Sequence, residues 1–409
     1  MDKKLTLDKV YSASFKLKPI ARKTDLIHAQ NLGENIYLKT ENLQVTGSFK
    51  IRGAYNKISQ LSNDEKSRGV VATSAGNHAQ GVALSCRELG IKSTIFMPEN
   101  APISKVEASK AFGAEVILQG NTYDDAYKAS QEYNEKYNKT YIHAFNDVDV
   151  IAGQGTIGLE ILNQLVDVDQ VIVPIGGGGL ISGIAFVIKT LKPDTKIIGV
   201  QAANAPSMKE SIESGKISEL KRVNTFADGI AVKRPGDITY EIIKEYVDEI
   251  VTVTEAEIAS AILAILEKQK LICEGSGAVS YAAAMHNKVD VNNKKTVAIL
   301  SGGNIDVNIL SRIISKGLVT TGRNTTLSIE LTDKPGELAA VSKVISEEGA
   351  NVIGVEYNTL EKTNEIFSCV LNIKAETRNA QHIEQIERKL KENGFSLYSE
   401  EGEDDGNKI

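Results

Sequence analysis

Between residues 36 and 301 short apolar runs alternate with longer amphipathic ones, and this alternation restricts the fold more than any other property of the chain. Runs of five or six residues at 36–40, 70–74, 93–97, 115–119, 141–145, 171–175, 196–200, 249–254 and 296–301 read as strands. Stretches such as 79–89, 123–136, 159–165, 180–191 and 255–269 carry apolar residues at helical spacing. Repeated strand-helix-strand units predict an α/β fold, with a mostly parallel sheet covered by helices on both faces. In open sheets of this kind ligands bind at the carboxyl ends of the strands. The Gly and Ser/Thr clusters of this chain fall at those ends.

Beyond Gly317 the pattern changes. Residues 325–332 alternate as a strand, and Asp333-Lys334-Pro335-Gly336-Glu337 opens a helix with proline near its first position. Leu338, Val341 and Ile345 form the apolar stripe of that helix, and Gly349 ends it. Residues 351–358 and 366–375 read as two further strands. Ile383, Ile386 and Leu390 stripe a second helix closed by Gly394, and 395–399 makes a last strand. The order β-α-β-β-α-β is the ferredoxin-like arrangement. The expected division is a first domain over 1–317, a linker over 318–326, a second domain over 327–402, and an acidic tail at 403–409 with nothing to bury. Such a tail is expected to be disordered.

A chain of 409 residues exceeds one ordinary domain. Its 42% apolar and 24% charged residues are those of a soluble globular protein. A net charge of -6 leaves no basic stripe for nucleic acid. No apolar run approaches the ~18 residues of a membrane span. The start Met1-Asp2-Lys3-Lys4-Leu5 lacks a signal-peptide core, so a cytoplasmic location is expected. Cys86, Cys273 and Cys369 each lie in an apolar stretch and read as small buried hydrophobes. The five histidines show no metal-ligand spacing, and no metal site is expected. The Gly-x-Ser-x-Gly elbow and the Walker A pattern are absent.

Four stretches carry chemistry. In Thr46-Gly47-Ser48-Phe49-Lys50-Ile51-Arg52-Gly53, just after Lys39-Thr40-Glu41-Asn42, a turn at Gly47 hands over to a helix with Lys50 in its first turn. The helix dipole disfavours a spare cation there. It suits a lysine meant to lose its proton and form an imine with pyridoxal phosphate, although in isolation a solvated surface lysine is the commoner explanation. Second, the strand at 70–74 runs through Ser74-Ala75-Gly76-Asn77-His78 into a helix. That junction is either an anion pocket for a substrate carboxylate or a helix start capped by Ser74 or Asn77. Third, the strand at 171–175 meets Gly176-Gly177-Gly178-Gly179-Leu180. Four successive glycines let backbone N–H groups wrap a phosphate with a helix dipole behind them, where a flexible turn needs only one or two. A dinucleotide is excluded, because Ile181 stands where the last glycine of Gly-x-Gly-x-x-Gly belongs and Gln201 where an acidic residue belongs. A true match to that pattern, Gly153 to Gly158, has no clear strand before it. Fourth, Ser301-Gly302-Gly303-Asn304 follows the last strand; Ser301 either faces a ring nitrogen or caps a helix from Ile305, and locally the cap is favoured.

Taken together and in this order, these motifs resemble the fold-type II pyridoxal-phosphate enzymes, and among them the threonine dehydratase (threonine ammonia-lyase) family. The similarity spans about residues 5–317. It implies a two-lobed open-sheet unit of the tryptophan synthase beta-like kind, with a smaller lobe over roughly 50–150. It makes Lys50 the cofactor-bound catalytic lysine and packs Phe49 against the ring. Asn77 would bond the phenolic oxygen, Gly176 to Leu180 would cradle the phosphate, and Ser301 would face the pyridine nitrogen. Ser74, Ala75, Gly76, Asn77 and His78 would line the substrate carboxylate pocket. The tail resembles a single ACT domain, which implies an amino-acid or nucleotide effector near Asp333, Gly336, Leu338, Asn351 and Ile353, and a homotetramer. The sequence departs from the related serine racemases at Ala75, where a proton-donating serine would stand, and at Gln201 and Ser207, where their metal carboxylates fall. Elimination is therefore expected over racemisation, with deamination of threonine, and of serine as a secondary substrate. Serine dehydratase, serine racemase, cystathionine β-synthase or threonine synthase chemistry, or a catalytically silent amino-acid sensor, remain the rivals.

Overall fold

A computed structural model of the chain describes residues 4–358 and 368–398. The described residues form fourteen strands in three sheets. The first two are β1 (Leu26–His28) and β2 (Ile36–Lys39). Next come β3 (Val70–Thr73), β4 (Ser93–Met97), β5 (Glu115–Leu118) and β6 (Thr140–Tyr141). They are followed by β7 (Gln170–Pro174), β8 (Lys196–Ala202), β9 (Glu249–Val253) and β10 (Thr296–Ile299). The last four are β11 (Asn324–Thr332), β12 (Asn351–Asn358), β13 (Ser368–Glu376) and β14 (Ser396–Leu397).

The chain divides into two compact units, residues 1–309 and 310–409. In the first, a six-stranded sheet has the order β1-β2-β10-β7-β8-β9, parallel except for the edge strand β1. A four-stranded parallel sheet, β5-β4-β3-β6, is inserted between β2 and β7. Strands buried on both faces need no alternation, and β3, β4, β7 and β10 are buried at every position. The helix Asn77–Glu88 covers one face of the small sheet with Ala79, Val82, Ala83 and Cys86. The helix Tyr123–Tyr137 covers the other with Ala126 and Ala129. Capping boxes start three helices: Ser62 with Glu65, Thr122 with Asp125, and Thr254 with Glu257.

Eight of the nine runs read as strands largely coincide with one, five of them ending a residue early, whereas the run at 141–145 shares only Tyr141 with β6. Two elements escape periodicity altogether. Strand β1 has three residues, too few to alternate, and the helix Val148–Gln164 begins eleven residues before its expected start at 159. Its first half holds the Gly153–Gly158 repeat, whose glycines disguise a helix because they are poor helix formers. They are there for close packing. A Cβ on Gly153 would lie 2.5 Å from the Arg52 carbonyl oxygen, and one on Gly183 in the helix Gly179–Leu191 would lie 2.5 Å from that of Ile151. The pattern lies within a helix and lets three helices touch at backbone distance.

The second unit is an antiparallel sheet of order β12-β13-β11-β14 with the helices Glu337–Glu347 and Ala380–Glu392. Its core is Leu327, Ile329, Val341, Ile345, Leu371, Ile373, Ile386 and Leu390. The helix Val307–Thr320 runs into the stretch read as a linker, leaving three residues before β11. The acidic tail, the last residue of the fourth expected strand run of this unit (395–399) and the first two of the run at 366–375 lie outside the described residues. No helix among the described residues is long and apolar enough to cross a membrane. Cys86, Cys273 and Cys369 are buried and unpaired in disulfides.

Candidate active site

Lys50 is the first residue of the helix Lys50–Ser59. The loop before it turns at Gly47, whose φ of +69° and 2.3 Å approach of a would-be Cβ to the Asn304 Oδ1 both require glycine. No acidic residue occupies the first turn of the helix. Lys50 Nζ donates to the Ala144 carbonyl at 3.1 Å and lies 5.2 Å from the centre of the Phe49 ring. Burial lowers its pKa to about 8, against the opposing attraction of Glu274. A field that disfavours the ammonium leaves a neutral, nucleophilic amine within reach of ordinary pH.

Ala144 belongs to a segment that the sequence suggested as strand. Only β6 forms, because His143 Nδ1 accepts from the Phe145 N–H at 3.2 Å and the Asn146 N–H at 2.9 Å and turns the chain. Phe145 then packs on the glycine run. A Cβ on Gly177 would fall 2.4 Å from its ring, one on Gly179 2.9 Å from its Cα, and one on Gly176 3.0 Å from the Ile230 Cα. Gly178 has φ of +97°, and Thr239 Oγ1 donates to the Gly177 carbonyl at 2.6 Å. The run is thus bare backbone held rigidly on its outer side, opening into the N-terminus of a helix whose first N–H groups have no intrahelical acceptor. It bears no acidic side chain, so an anion meets N–H donors and a favourable dipole there.

On the opposite side, Ser74 Oγ accepts from the Gly76 N–H at 3.1 Å, which makes it a turn residue; the helix that follows has Gly76 as its uncapped first flank. Ser74, Ala75, Gly76 and Asn77 are all partly accessible. His78 differs. Its side chain is buried and its Nε2 donates to the Ile142 carbonyl at 2.9 Å, so any share it has in a carboxylate pocket comes from its backbone. Burial, reinforced by Lys50, lowers His78 to about 3 and His143 to about 4, so both imidazoles are neutral. Asn77 is tied on both sides: its Nδ2 donates to Glu274 Oε1 at 2.7 Å, and its Oδ1 accepts from Asn304 Nδ2 at 2.7 Å.

The helix-cap explanation of Ser301 fails, since the next helix starts only at Val307. The intervening residues line the lysine loop: Gly302 bridges Ser48, and Gly303 N donates to the Gly47 carbonyl at 2.8 Å. Ser301 is buried, and its hydroxyl donates to the Ser276 carbonyl at 3.2 Å. Two participants carried no sequence signal: His143 and Glu274 reach the site from segments far from Lys50, and each looks unremarkable among its neighbours in the chain, whereas Asn304 closes the fourth motif but had no role assigned to it.

Beneath Lys50 lies a buried charge network. Arg52 donates through Nε and Nη2 to the two oxygens of Glu41, each at 2.8 Å, and through Nη1 to Glu160 at 2.7 Å. Lys39 Nζ donates to Glu160 at 2.6 Å, to Gln164 at 3.0 Å and to the Thr24 carbonyl at 2.6 Å. Two cations and two anions balance, with every donor of both cations directed at an oxygen.

In the second unit, Asp333 accepts from the Tyr357 hydroxyl at 2.9 Å, and Gly336 (φ +101°) precedes the helix that carries the exposed Leu338. Asn351 is instead hydrogen-bonded to Glu376, six residues back along β12 from Tyr357, or roughly 20 Å. The five residues expected around an effector do not form one cluster within the chain; Ile353, exposed, sits on the Asn351 side.

The lysine, the glycine cradle and the Asn77 amide fit a phosphorylated aldehyde cofactor: an amine, an anion-binding backbone loop and a polar side chain converge with no opposing carboxylate at the phosphate end. A family model described as pyridoxal-phosphate dependent enzyme matches residues 17–302, and one described as an ACT domain matches residues 320–393. The chain is 50% identical over 397 residues to an L-threonine ammonia-lyase of Thermotoga maritima, covering 96% of this chain and 99% of the relative. It is 48% identical over 318 residues to the catabolic L-threonine dehydratase of Escherichia coli, covering 76% of this chain and 97% of the relative. Among solved structures, the processed form of threonine deaminase isoform 2 from Solanum lycopersicum superposes with a TM-score of 0.72 at 40% identity, covering 76% of this chain and 90% of that one. Maize serine racemase superposes with a TM-score of 0.72 at 34% identity, covering 77% of this chain and 98% of that one.

Proposed function

The chain belongs to the pyridoxal-phosphate-dependent enzymes and carries an ACT domain, and from this premise we propose that it is a threonine ammonia-lyase that converts L-threonine to 2-oxobutanoate and ammonia. The observation that carries the reading is Lys50, an amine at a helix start whose burial lowers its pKa to about 8, placed next to a bare-backbone anion cradle. Residues 1–317 form the catalytic part in this reading and 327–402 the regulatory part; the two family matches and the division of the chain near residue 309 support it.

Bound pyridoxal phosphate supplies a conjugated ring that takes up negative charge from the substrate α-carbon. Lys50 holds it covalently, Gly176 to Leu180 bind its phosphate through backbone N–H groups, and Phe49 packs on the ring. Asn77 has one amide hydrogen left for the phenolic oxygen. Ser301 must turn its hydroxyl from the Ser276 carbonyl to meet the ring nitrogen. The N–H groups and hydroxyl of the Ser74–Asn77 turn bind the substrate carboxylate, with Ala75 and His78 completing the loop. With substrate bound, Lys50 Nζ would take the α-proton as general base. The β-hydroxyl would take up a proton, the equivalent of the one passed to Lys50 Nζ, and leave as water, and the freed enamine would hydrolyse to oxoacid and ammonia. Ala75 offers no proton donor on the far face, which favours elimination over racemisation.

One methyl in a pocket is worth only ~1–3 kcal/mol, so threonine and serine should differ by about 10- to 200-fold in kcat/KM. A panel of threonine, serine and their D-forms, assayed for oxoacid and ammonia, tests the reading. Absence of 2-oxobutanoate from L-threonine would refute it.

The regulatory part senses a branched-chain amino acid and acts within a homotetramer in the cytoplasm. The ACT match supports the sensing, and three buried cysteines free of disulfides suit a reducing compartment. Titration calorimetry of the whole protein should show isoleucine, valine or leucine binding at a site that survives loss of Lys50. No heat from any of these would remove the sensing role or transfer it to a nucleotide.

A further inference from the structure

Glu274 is the one buried carboxylate at the site that the proposed chemistry leaves without a task. It is 4% exposed, on the segment between the helices Glu255–Gln269 and Gly275–Met285. Its Oε1 accepts from Asn77 Nδ2 at 2.7 Å and from Ser276 Oγ at 2.6 Å. On its far side Asn77 accepts from Asn304 Nδ2, whose other hydrogen goes to the Thr46 carbonyl at 2.8 Å. The result is a row of polarised bonds with a fixed sense: backbone carbonyl, Asn304 amide, Asn77 amide, carboxylate. Its two ends only accept hydrogen bonds, so neither amide can rotate by half a turn without setting donor against donor or acceptor against acceptor.

An asparagine amide is nearly symmetric in shape, and only its partners decide which end faces a ligand. We propose that Glu274 is a positioning residue that holds Asn77 with its nitrogen toward the carboxylate and its second N–H toward the ring oxygen of the cofactor. This deepens the assignment of Asn77 under the proposed function and rests on it. Glu274 is suited to the task because its Oε1 is closely surrounded. A Cβ on Gly302 would lie 2.4 Å from its Oε1, and one on Gly229 would lie 3.4 Å away. The carboxylate also lines a cavity of about 150 Å³ shared with Lys105, Phe226, Asp228 and Asn304. The charged groups around it are Lys50, which it attracts, Asp228, which repels it, Lys105, which is paired with Asp228, and Asp306, which lines the same cavity.

Burial first, and Asp228 second, raise Glu274 to about 7. Ionised, it can only accept. Protonated, it can donate, which removes its own bar to a flipped Asn77 amide and leaves Asn304 as the remaining restraint. The hold on Asn77 therefore loosens as pH falls through about 7.

The test is a double-mutant cycle on the holoenzyme with Glu274→Ala, Asn77→Ala and the pair, read by kcat/KM for threonine and by the visible absorbance of the bound cofactor. Loss of a hydrogen bond to a charged group predicts a fall of about 10- to 100-fold for Glu274→Ala, with an absorbance change like that of Asn77→Ala. In the Asn77→Ala background, Glu274→Ala should change either readout by less than about 3-fold, because a residue acting through Asn77 has nothing left to act on. Additive effects, or an unaltered single mutant, would overturn the proposal. Glu274→Gln decides the matter if the alanine variant does not fold. Its oxygen can keep both accepted bonds, so activity above pH 8 should stay within about 3-fold while the inflection near 7 disappears. Persistence of that inflection would equally overturn it. A wild-type protein that takes up no pyridoxal phosphate would instead refute the cofactor assignment, a result distinguishable from either outcome.

Discussion

Replacing Lys50 with alanine is expected to lower threonine deamination by about 10³-fold or more, since it removes both the covalent anchor and the general base. The cofactor should still bind, reversibly, because the Gly176–Gly179 cradle is untouched. That separates loss of chemistry from loss of the fold: Lys50→Ala should unfold at nearly the wild-type temperature and retain cofactor on rapid filtration. Turnover within tenfold of wild type would refute the assignment. The wild-type apoprotein carries a second signature of the same amine. An ammonium cannot attack an aldehyde, so covalent uptake of pyridoxal phosphate follows the neutral fraction of Lys50. With its pKa lowered to about 8, uptake should rise about tenfold per pH unit below that value and level off above it. An ordinary lysine would still be gaining at pH 10.

The second large effect is on stability. Arg52 is 1% exposed and Glu41 is fully buried. Burial alone would push the Glu41 carboxyl up, yet the Arg52 guanidinium and Lys39 hold it below the usual carboxylate range. Arg52→Ala leaves Glu41 without its bidentate partner and Glu160 with only Lys39. Stranding a buried charge costs about 3–5 kcal/mol, a large part of the 5–15 kcal/mol by which domains are stable. Thermal unfolding of the catalytic unit should fall by roughly 6–20 °C. Glu41→Ala should cost as much, and the pair Arg52→Met/Glu41→Leu less than either single change, because no lone charge is left behind. Equal destabilisation by the pair and the singles would show that the network stabilises by packing and not by charge balance. Arg52 lies two residues past Lys50, so Arg52→Ala should also lower activity at temperatures where the protein is folded.

The element order and fold class of this chain were legible because burial leaves a periodic trace. Strands buried on both faces appear as β-branched runs, as in Val70–Thr73, and amphipathic helices as stripes, as in Tyr123–Tyr137. Where burial leaves no such trace, reading failed. The helix Val148–Gln164 hid behind its glycines because those positions answer to a neighbouring backbone and not to helix propensity. The run at 141–145 looked like strand throughout, but a histidine ring supplying a turn's acceptor cannot be foreseen from its apolar neighbours.

By itself the sequence determined which residues bring chemistry: a lysine at a helix start, four glycines after a buried strand, and a small polar turn before another helix. These are local, because a loop that binds phosphate through its own backbone must carry its glycines together. Tertiary structure alone decided how the side chains are oriented and charged. Glu274 meets Asn77 across 197 residues, and Arg52 meets Glu160 across 108. The lowered pKa of Lys50 arises from its burial in the folded chain, and His78 faces the core and not the pocket. Hydrogen-bond sense and desolvation depend on every group within a few ångströms, and only the folded chain fixes which groups those are.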